Sequence, residues 1–377
     1  MPRYFIHFRN VILAVLCGYV SYAQNQPKWL QKFHPDSLVN HEVKVIPMPI
    51  FQSSPETGLR AGFSIDYFFN TGHPKDSIPT RDSFAWLVAT YSTRRQLVFE
   101  PVWQIYTQNE KYLLRGQAGH TDFSEYFWGI GNEVLNLDSP TTMFYSRTYF
   151  QGEFLRKIVP NVFAGLQVQI SATRNINFNH STGDLLNDVR GRASSHTSGI
   201  GPNLIFDFRD NPFSPTKGWF LELSYVPHNH QLQSEYSFNE MLVDGRKYFE
   251  FPKNQFLGFQ MLGNFSWGDV PLRELPRLGG SNLMRGMVQG RYRDKNMVAF
   301  QAEYRKGIHR FIKIAAFVGS GRVNKNVRDF STKNIHYTYG LGLRILVNKK
   351  KNLYSRIDFA RSSEGDNAFY FKLMDAF

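Results

Sequence analysis

The sequence predicts an all-β fold: a transmembrane antiparallel β-barrel of sixteen strands with a long extracellular loop folded into its lumen. Three observations predict it. Segments in which apolar and polar residues alternate recur along the whole chain, as strands with one lipid face and one lumen face require. Aromatic residues reach 16% while mean hydropathy stays negative at −0.37, the combination expected of a lipid face with aromatic girdles around a polar lumen. Short and long connections alternate along the chain, and sixteen is an even count, as single-chain bacterial barrels require. A soluble two-sheet sandwich would need strands of about half this length.

The chain opens with a secretory signal peptide, residues 1–23. Arg3 and Arg9 precede the apolar run Val11 to Val20, and Ser21-Tyr22-Ala23 supplies a small-residue cleavage site. The run is too short to cross a bilayer, which takes roughly 18 to 20 apolar residues. Cys17 is the single cysteine and lies within it, so the mature chain is expected to carry no thiol, no disulfide and no cysteine-ligated metal. Residues 24–40 are short, polar and aperiodic, a periplasmic lead-in without room for a soluble module. Residues 41–377 are then one barrel, because no linker, charge block or shift in composition divides them.

The barrel begins with His41 to Gln52 and Thr57 to Asn70 around the turn Ser53 to Glu56, with Phe63, Ile65, Tyr67 and Phe69 alternating on the second segment. Alternation then continues over Asp82 to Thr93, Gln96 to Gln108, Lys111 to Thr121, Met143 to Ile158, Asn161 to Arg174, Thr197 to Arg209 and Gly218 to His230. Tyr236 to Phe249, Asn254 to Trp267, Met297 to Gly307, Phe311 to Gly319, His336 to Val347, Leu353 to Arg361 and Asn367 to Phe377 complete the set. Tight turns such as Val159-Pro160 alternate with loops at 122–142, 175–196, 268–296 and 320–335, which places both termini on the periplasmic side. Two tight connections, near Ser54 and Arg94, fall on the side where length is expected. The two-residue period also sets facing: Phe300, Ala302 and Tyr304 go to lipid and Gln301, Glu303 and Arg305 to the lumen, while Ile357 and Phe359 alternate with Arg356 and Asp358.

Two stretches stand out from this pattern. Between Arg277 and Asn296 the chain is glycine-rich and basic, and a loop of about 20 residues is usually functional. Gly279, Gly280 and Gly286 give backbone freedom on both sides of Arg285, as if one side chain had to be aimed. In the first strand, Pro47 and Pro49 remove donors from one and the same seam, since backbone groups at i and i+2 point to the same neighbour. Either that seam faces the last strand and is a weak lateral joint, or both prolines lie below the hydrocarbon where water satisfies the partner carbonyls.

These residues resemble the BamA/TamA-like outer-membrane barrels, also called the bacterial surface antigen family, which includes the transporters of two-partner secretion. Met284-Arg285-Gly286-Met287 is similar to the Val-Arg-Gly-aromatic motif of that family's sixth extracellular loop. Asp207, Arg209 and Asp210 with Pro215 and Gly218 resemble its Asp-x-Arg-Asp strand end and turn. Ala302 to Arg305 resembles the strand after the loop, and Phe371 and Phe377 the C-terminal assembly signal. The resemblance implies that Arg285 is held in the lumen by Glu303, either as a pinned plug or as a moving gate. The family's second acid is replaced by Gly319, and its stacking aromatic by Met287. It further implies a barrel-only member, without repeated periplasmic domains, that assists insertion or translocation of proteins, or of lipids, at the outer membrane of a Gram-negative bacterium. The alternative is a passive pore or structural surface antigen. Implied partners are outer-membrane lipids including lipopolysaccharide, client outer-membrane or secreted proteins, and the outer-membrane assembly machinery.

The net charge is +13, or about +11 without Arg3 and Arg9. Outside the cytoplasm that favours anionic lipid head groups and leaves no nucleic-acid partner. The histidines are scattered without metal spacing, His120, His309 and His336 reading as interfacial or loop residues. Gly199-Ile200-Gly201 and Gly340-Leu341-Gly342 lie within strands, where glycine serves curvature, not phosphate binding. No enzyme and no cofactor are expected.

Overall fold

The computed structural model describes residues 45–54, 58–73, 79–132, 141–179 and 189–377. The expected signal peptide, the lead-in, the start of the first strand and the tip of its turn lie outside them. Sixteen antiparallel strands close into one barrel, each hydrogen-bonded to its neighbours in sequence and the first to the last. They are β1 Val45–Ser54, β2 Gly58–Phe69, β3 Ser83–Ser92, β4 Leu97–Tyr106, β5 Tyr112–Phe127, β6 Thr141–Val159, β7 Val162–Phe178 and β8 Ser195–Asp207. The second half comprises β9 Gly218–His228, β10 Phe238–Phe251, β11 Gln255–Gly268, β12 Asn296–His309, β13 Ile312–Asn324, β14 His336–Asn348, β15 Leu353–Ser362 and β16 Asn367–Leu373.

Closure lets the strands meet their backbone hydrogen bonds within the sheet, as a hydrocarbon environment demands, everywhere but along most of the β1–β16 seam. The facing read from the two-residue period holds: on β12, Phe300 and Tyr304 are exposed on the outside, while Gln301, Glu303 and Arg305 are buried inside. The interior is filled on one side. Leu278, Met284, Met287 and Tyr292 of the β11–β12 connection pack against Met297, Ala299 and Val323. Nearer the start of that connection, Val270, Leu272 and Leu275 pack against Phe127, Met143 and Tyr145. At the end of the barrel that holds Val45 and Phe377, Ile46, Phe68, Phe84, Phe213 and Leu353 form a further cluster.

The seam between first and last strands is the least paired. β1 pairs β2 over all ten residues, but β16 only through Gln52↔Tyr370 and Ser53↔Phe369. On β2 the Leu59 carbonyl accepts from Thr93 N at 2.9 Å, so odd residues of β2 turn their backbone groups toward β3 and even ones toward β1. The register Pro47↔Ile65 and Pro49↔Phe63 therefore points both proline nitrogens away from β2 and toward β16.

The last strand ends earlier than its alternation predicts. β16 stops at Leu373, Met374 takes a left-handed conformation (φ 65°), and the tail turns into the lumen. Asp375 N donates to Phe213 O at 3.1 Å, and the Phe377 ring stacks on Tyr248 of β10 with centroids 6.5 Å apart. Phe377 is thus a buried lumen contact and not the end of a strand, whereas Phe371 stays in β16, paired with Ile357.

Candidate functional site

Glycines let the loop press against the wall. Gly279, Gly280 and Gly286 all have positive φ, at 98°, 121° and 101°. A Cβ at Gly286 would sit 2.8 Å from Arg361 N and 2.9 Å from Ala360 C, so only glycine allows the loop backbone to meet β15 there. Gly286 N donates to the Tyr370 hydroxyl at 3.2 Å. The loop is thereby fixed one residue beyond Arg285, whose side chain is 1% exposed.

Arg285 and Arg344 form a closed ring with two carboxylates. Arg285 donates from Nη2 to Glu303 Oε2 at 2.6 Å and from Nη1 to Asp358 Oδ2 at 2.7 Å. Arg344 donates from Nη2 to Glu303 Oε1 at 2.9 Å and from Nη1 to Asp358 Oδ1 at 2.6 Å. Two cations and two anions alternate, so the buried ring is neutral and its oxygens are met by charge-assisted bonds. The second acid, absent at Gly319, is supplied by Asp358 on β15. The stacking partner absent at Met287 is Phe317, whose ring centroid lies 3.5 Å from the Arg285 guanidinium carbon. Arg356 extends the hold, donating to Ser281 O at 2.9 Å and Asn282 Oδ1 at 2.6 Å. The wall residues that hold the loop here, Glu303, Phe317, Arg344, Arg356, Asp358 and Tyr370, come from β12 to β16, the wall that ends at the sparsely paired seam.

The ring continues toward the chain end. Arg344 Nε donates to Asp375 Oδ1 at 3.0 Å, and Arg305 donates to the same carboxylate and, from Nη2, to Pro215 O at 2.6 Å. Burial by itself would raise the Asp375 carboxyl, but Arg305 and Arg344 outweigh it and hold it below the usual carboxylate range. Pro215 belongs to the 208–217 turn. There Arg209 grips Asp207 through two bonds of 2.8 and 2.9 Å, and Asp210 accepts from Thr216 N at 2.9 Å and Lys217 N at 3.1 Å. Gly218 closes the turn at φ 101°, where a Cβ would strike the Phe208 carbonyl.

Other residues depart from the sequence reading. Glycines 340 and 342 also make room: a Cβ at Gly340 would meet the Phe317 ring, and one at Gly342 the Asp358 carboxylate and Arg344. His336 is no free loop residue. It stacks on Tyr292 at 3.6 Å and contacts Glu364 at 3.0 Å. A second anchor of the loop had no sequence signal: Glu125 accepts from Arg273 Nη1 at 2.8 Å and Arg293 Nη2 at 2.7 Å. Among the described residues no group of three or more His, Cys, Asp or Glu is placed to hold a metal ion.

No curated protein matches the chain in sequence. In three dimensions it is similar to BamA from Haemophilus ducreyi lacking POTRA domains 1-3, with a TM-score of 0.55 at 10% identity over 88% of this chain and 70% of that one. It is also similar to CdiB from Escherichia coli (TM-score 0.58, 10% identity, 88% and 63% covered) and CdiB from Acinetobacter baumannii (0.53, 13%, 88% and 59%). The chain thus spans less than two thirds of either CdiB, and likeness at such identities establishes the fold alone. A family model carries the rest: the Omp85 superfamily domain matches residues 116–373, from β5 to the end of β16. The chain belongs to the Omp85 superfamily of bacterial outer-membrane barrels.

Proposed function

We propose that this barrel assists the insertion or translocation of proteins, or of lipids, at the outer membrane of a Gram-negative bacterium, with its termini in the periplasm. The observation that supports this reading is the loop arginine: Arg285 is buried, shared between Glu303 and Asp358, and set beside the weakest strand pairing of the barrel. A loop held by charge in the lumen closes the aqueous path that a porin needs, and a sparsely paired β1–β16 seam gives a passing chain a lateral way out. In this reading residues 1–23 are a cleaved signal peptide, residues 24–40 a periplasmic lead-in, and Phe371 with Phe377 part of the assembly signal. The partners are client outer-membrane or secreted proteins, the assembly machinery, and lipids including lipopolysaccharide. Depletion followed by quantification of outer-membrane and surface proteins tests it. The expected outcome is selective loss of a set of them. An unchanged profile, together with large steady channels in planar bilayers, would replace this reading by that of a passive pore or surface antigen.

A further inference from the structure

The loop leaves part of the lumen open. Between its first half and the inward faces of β2 and of β4 to β12 lies a space of about 610 Å³, of the size that takes small molecules. Its wall is polar and internally bonded. Gln117 donates to Gln151 at 3.3 Å, the Tyr149 hydroxyl donates to Glu100, and Asn264 donates to Glu240 at 3.2 Å. Two carboxylates, Glu100 and Glu240, are thus met by neutral donors and keep lone pairs for further hydroxyl donors.

The cations are distributed unevenly. Arg147 is engaged by Glu274, at 3.0 and 3.1 Å, and by Ser171, at 2.9 Å. Glu125 is engaged by Arg273 and Arg293. Arg277 is left over. Its nearest carboxylate oxygen, Glu125 Oε2, is 3.7 Å away, too far for a hydrogen bond, and among the described residues its guanidinium makes none. Its side chain is 21% exposed and lines the open space.

We propose that this space binds a soluble, hydroxyl-rich molecule of sugar size carrying one phosphate or carboxylate. The anionic group is taken by the Arg277 fork. The hydroxyls donate to Glu100 and Glu240 and accept from the side-chain amides. Inorganic phosphate alone fits poorly, because the two carboxylates repel a compact anion that brings them no hydroxyls. The strands around the space, β2 to β12, are each hydrogen-bonded to the next, so the ligand enters along the lumen and is not a head group reaching in from the bilayer.

Isothermal titration calorimetry on the full barrel in detergent tests this, with glucose 6-phosphate and glucuronate as probes and glucose and inorganic phosphate as comparisons. At least one anionic sugar should bind about tenfold or more tighter than either comparison, and Arg277→Gln should remove about tenfold of that affinity. Binding of neither probe, equal binding of glucose or phosphate, or affinity untouched by Arg277→Gln would each overturn the proposal. Folding of every variant is checked by heat-dependent gel mobility. If Arg277→Gln does not fold, Arg277→Lys decides instead, since it keeps the charge but loses the two-pronged fork and must also weaken the anionic sugar.

Discussion

Replacing Asp358 by asparagine should release the lumen loop as effectively as replacing Glu303 by glutamine, although only Glu303 stands where the family resemblance places an acid. Asp358 is wholly buried and accepts from Arg285 at 2.7 Å, Arg344 at 2.6 Å and, weakly, Arg356 at 3.4 Å. Asparagine keeps the volume but offers one acceptor oxygen, so an amide NH₂ must face a guanidinium. One charge-assisted bond is lost, roughly 1.5 to 3 kcal/mol, and a buried arginine is left short of its counter-charge, which brings the cost to about 3 kcal/mol. The ring still holds Glu303 and Arg344, so the upper end of the range for broken buried pairs does not apply. About 3 kcal/mol corresponds to a shift of roughly a hundredfold in the ratio of docked to released loop. The assay pairs conductance in planar bilayers with trypsin cleavage between residues 268 and 296. Wild type should give small, flickering currents and slow cleavage, while Asp358→Asn raises both mean conductance and cleavage rate. If Asp358→Asn matches wild type in both assays while Glu303→Gln opens the loop, Asp358 is not the second acid and the ring argument fails.

Gly319→Asp, which restores an acid at the family position, should loosen the loop, because the new Cβ would stand 3.3 Å from Met284 Cγ and 3.0 Å from Thr338 Oγ1; the same two assays read it. Asp375→Asn should lower the urea midpoint at pH 7. The folded carboxyl sits below its unfolded value of about 3.9, so its contribution is present above that pH, and the gap to wild type should close as pH falls below about 4. Gly218→Ala should destabilise the folded barrel by about 1–3 kcal/mol in equilibrium urea unfolding, since its φ of 101° and the Phe208 carbonyl both exclude a side chain. A disulfide between Ser53→Cys and Phe369→Cys should lock the seam and abolish the activity that depletion reveals, with reductant restoring it. Crosslinked barrels that remain active would remove the lateral seam from the mechanism.

The sixteen strands were legible because alternation is a local property, imposed residue by residue by lipid on one side and bonded polar groups on the other. It fails where one of the two environments ends. The pattern marks a strand only to Thr121, yet β5 runs on to Phe127, pairing Asp122 with Ser146 and Glu125 with Met143. Past the hydrocarbon the outer face has no need to be apolar, so the ladder continues while the alternation fades. Glu125 was lost with it, and so were its partners Arg273 and Arg293, which are separated from it by more than a hundred residues. The opposite error occurs at the chain end: Asn367 to Phe377 alternates well enough to read as one strand, but Met374 leaves the β region and sends Asp375 to the arginines. Gly286 and Arg285 were legible for a different reason, since a glycine beside an arginine in a long basic loop signals close backbone approach without reference to any partner.

The acid that moved shows why a lumen site resists reading from sequence. Glu303 and Asp358 lie on β12 and β15, three strand spacings of about 4.8 Å apart around the wall, too far to meet each other or to be linked by sequence distance. Arg344, inward on β14 between them, and Arg285, descending from the loop, bridge the gap, because a guanidinium fork reaches two carboxylates at once. Which inward position on the wall carries the second carboxylate is then set by the reach of two arginines and by free volume, not by a fixed spacing from the loop. The glycines record that choice. At 319 the missing side chain is occupied by Met284, whose Cγ would lie 3.3 Å from a Cβ there, so an acid at that position and this loop path compete for the same space. At 342, directly across from Asp358 in the β14–β15 register, glycine clears the volume that the Asp358 carboxylate and Arg344 fill. A pair of glycines one strand apart, each facing inward, is therefore coupled to the acid between β12 and β16, and exchanging Gly319 for aspartate without also closing Gly342 and removing Asp358 adds charge to a ring that is already neutral.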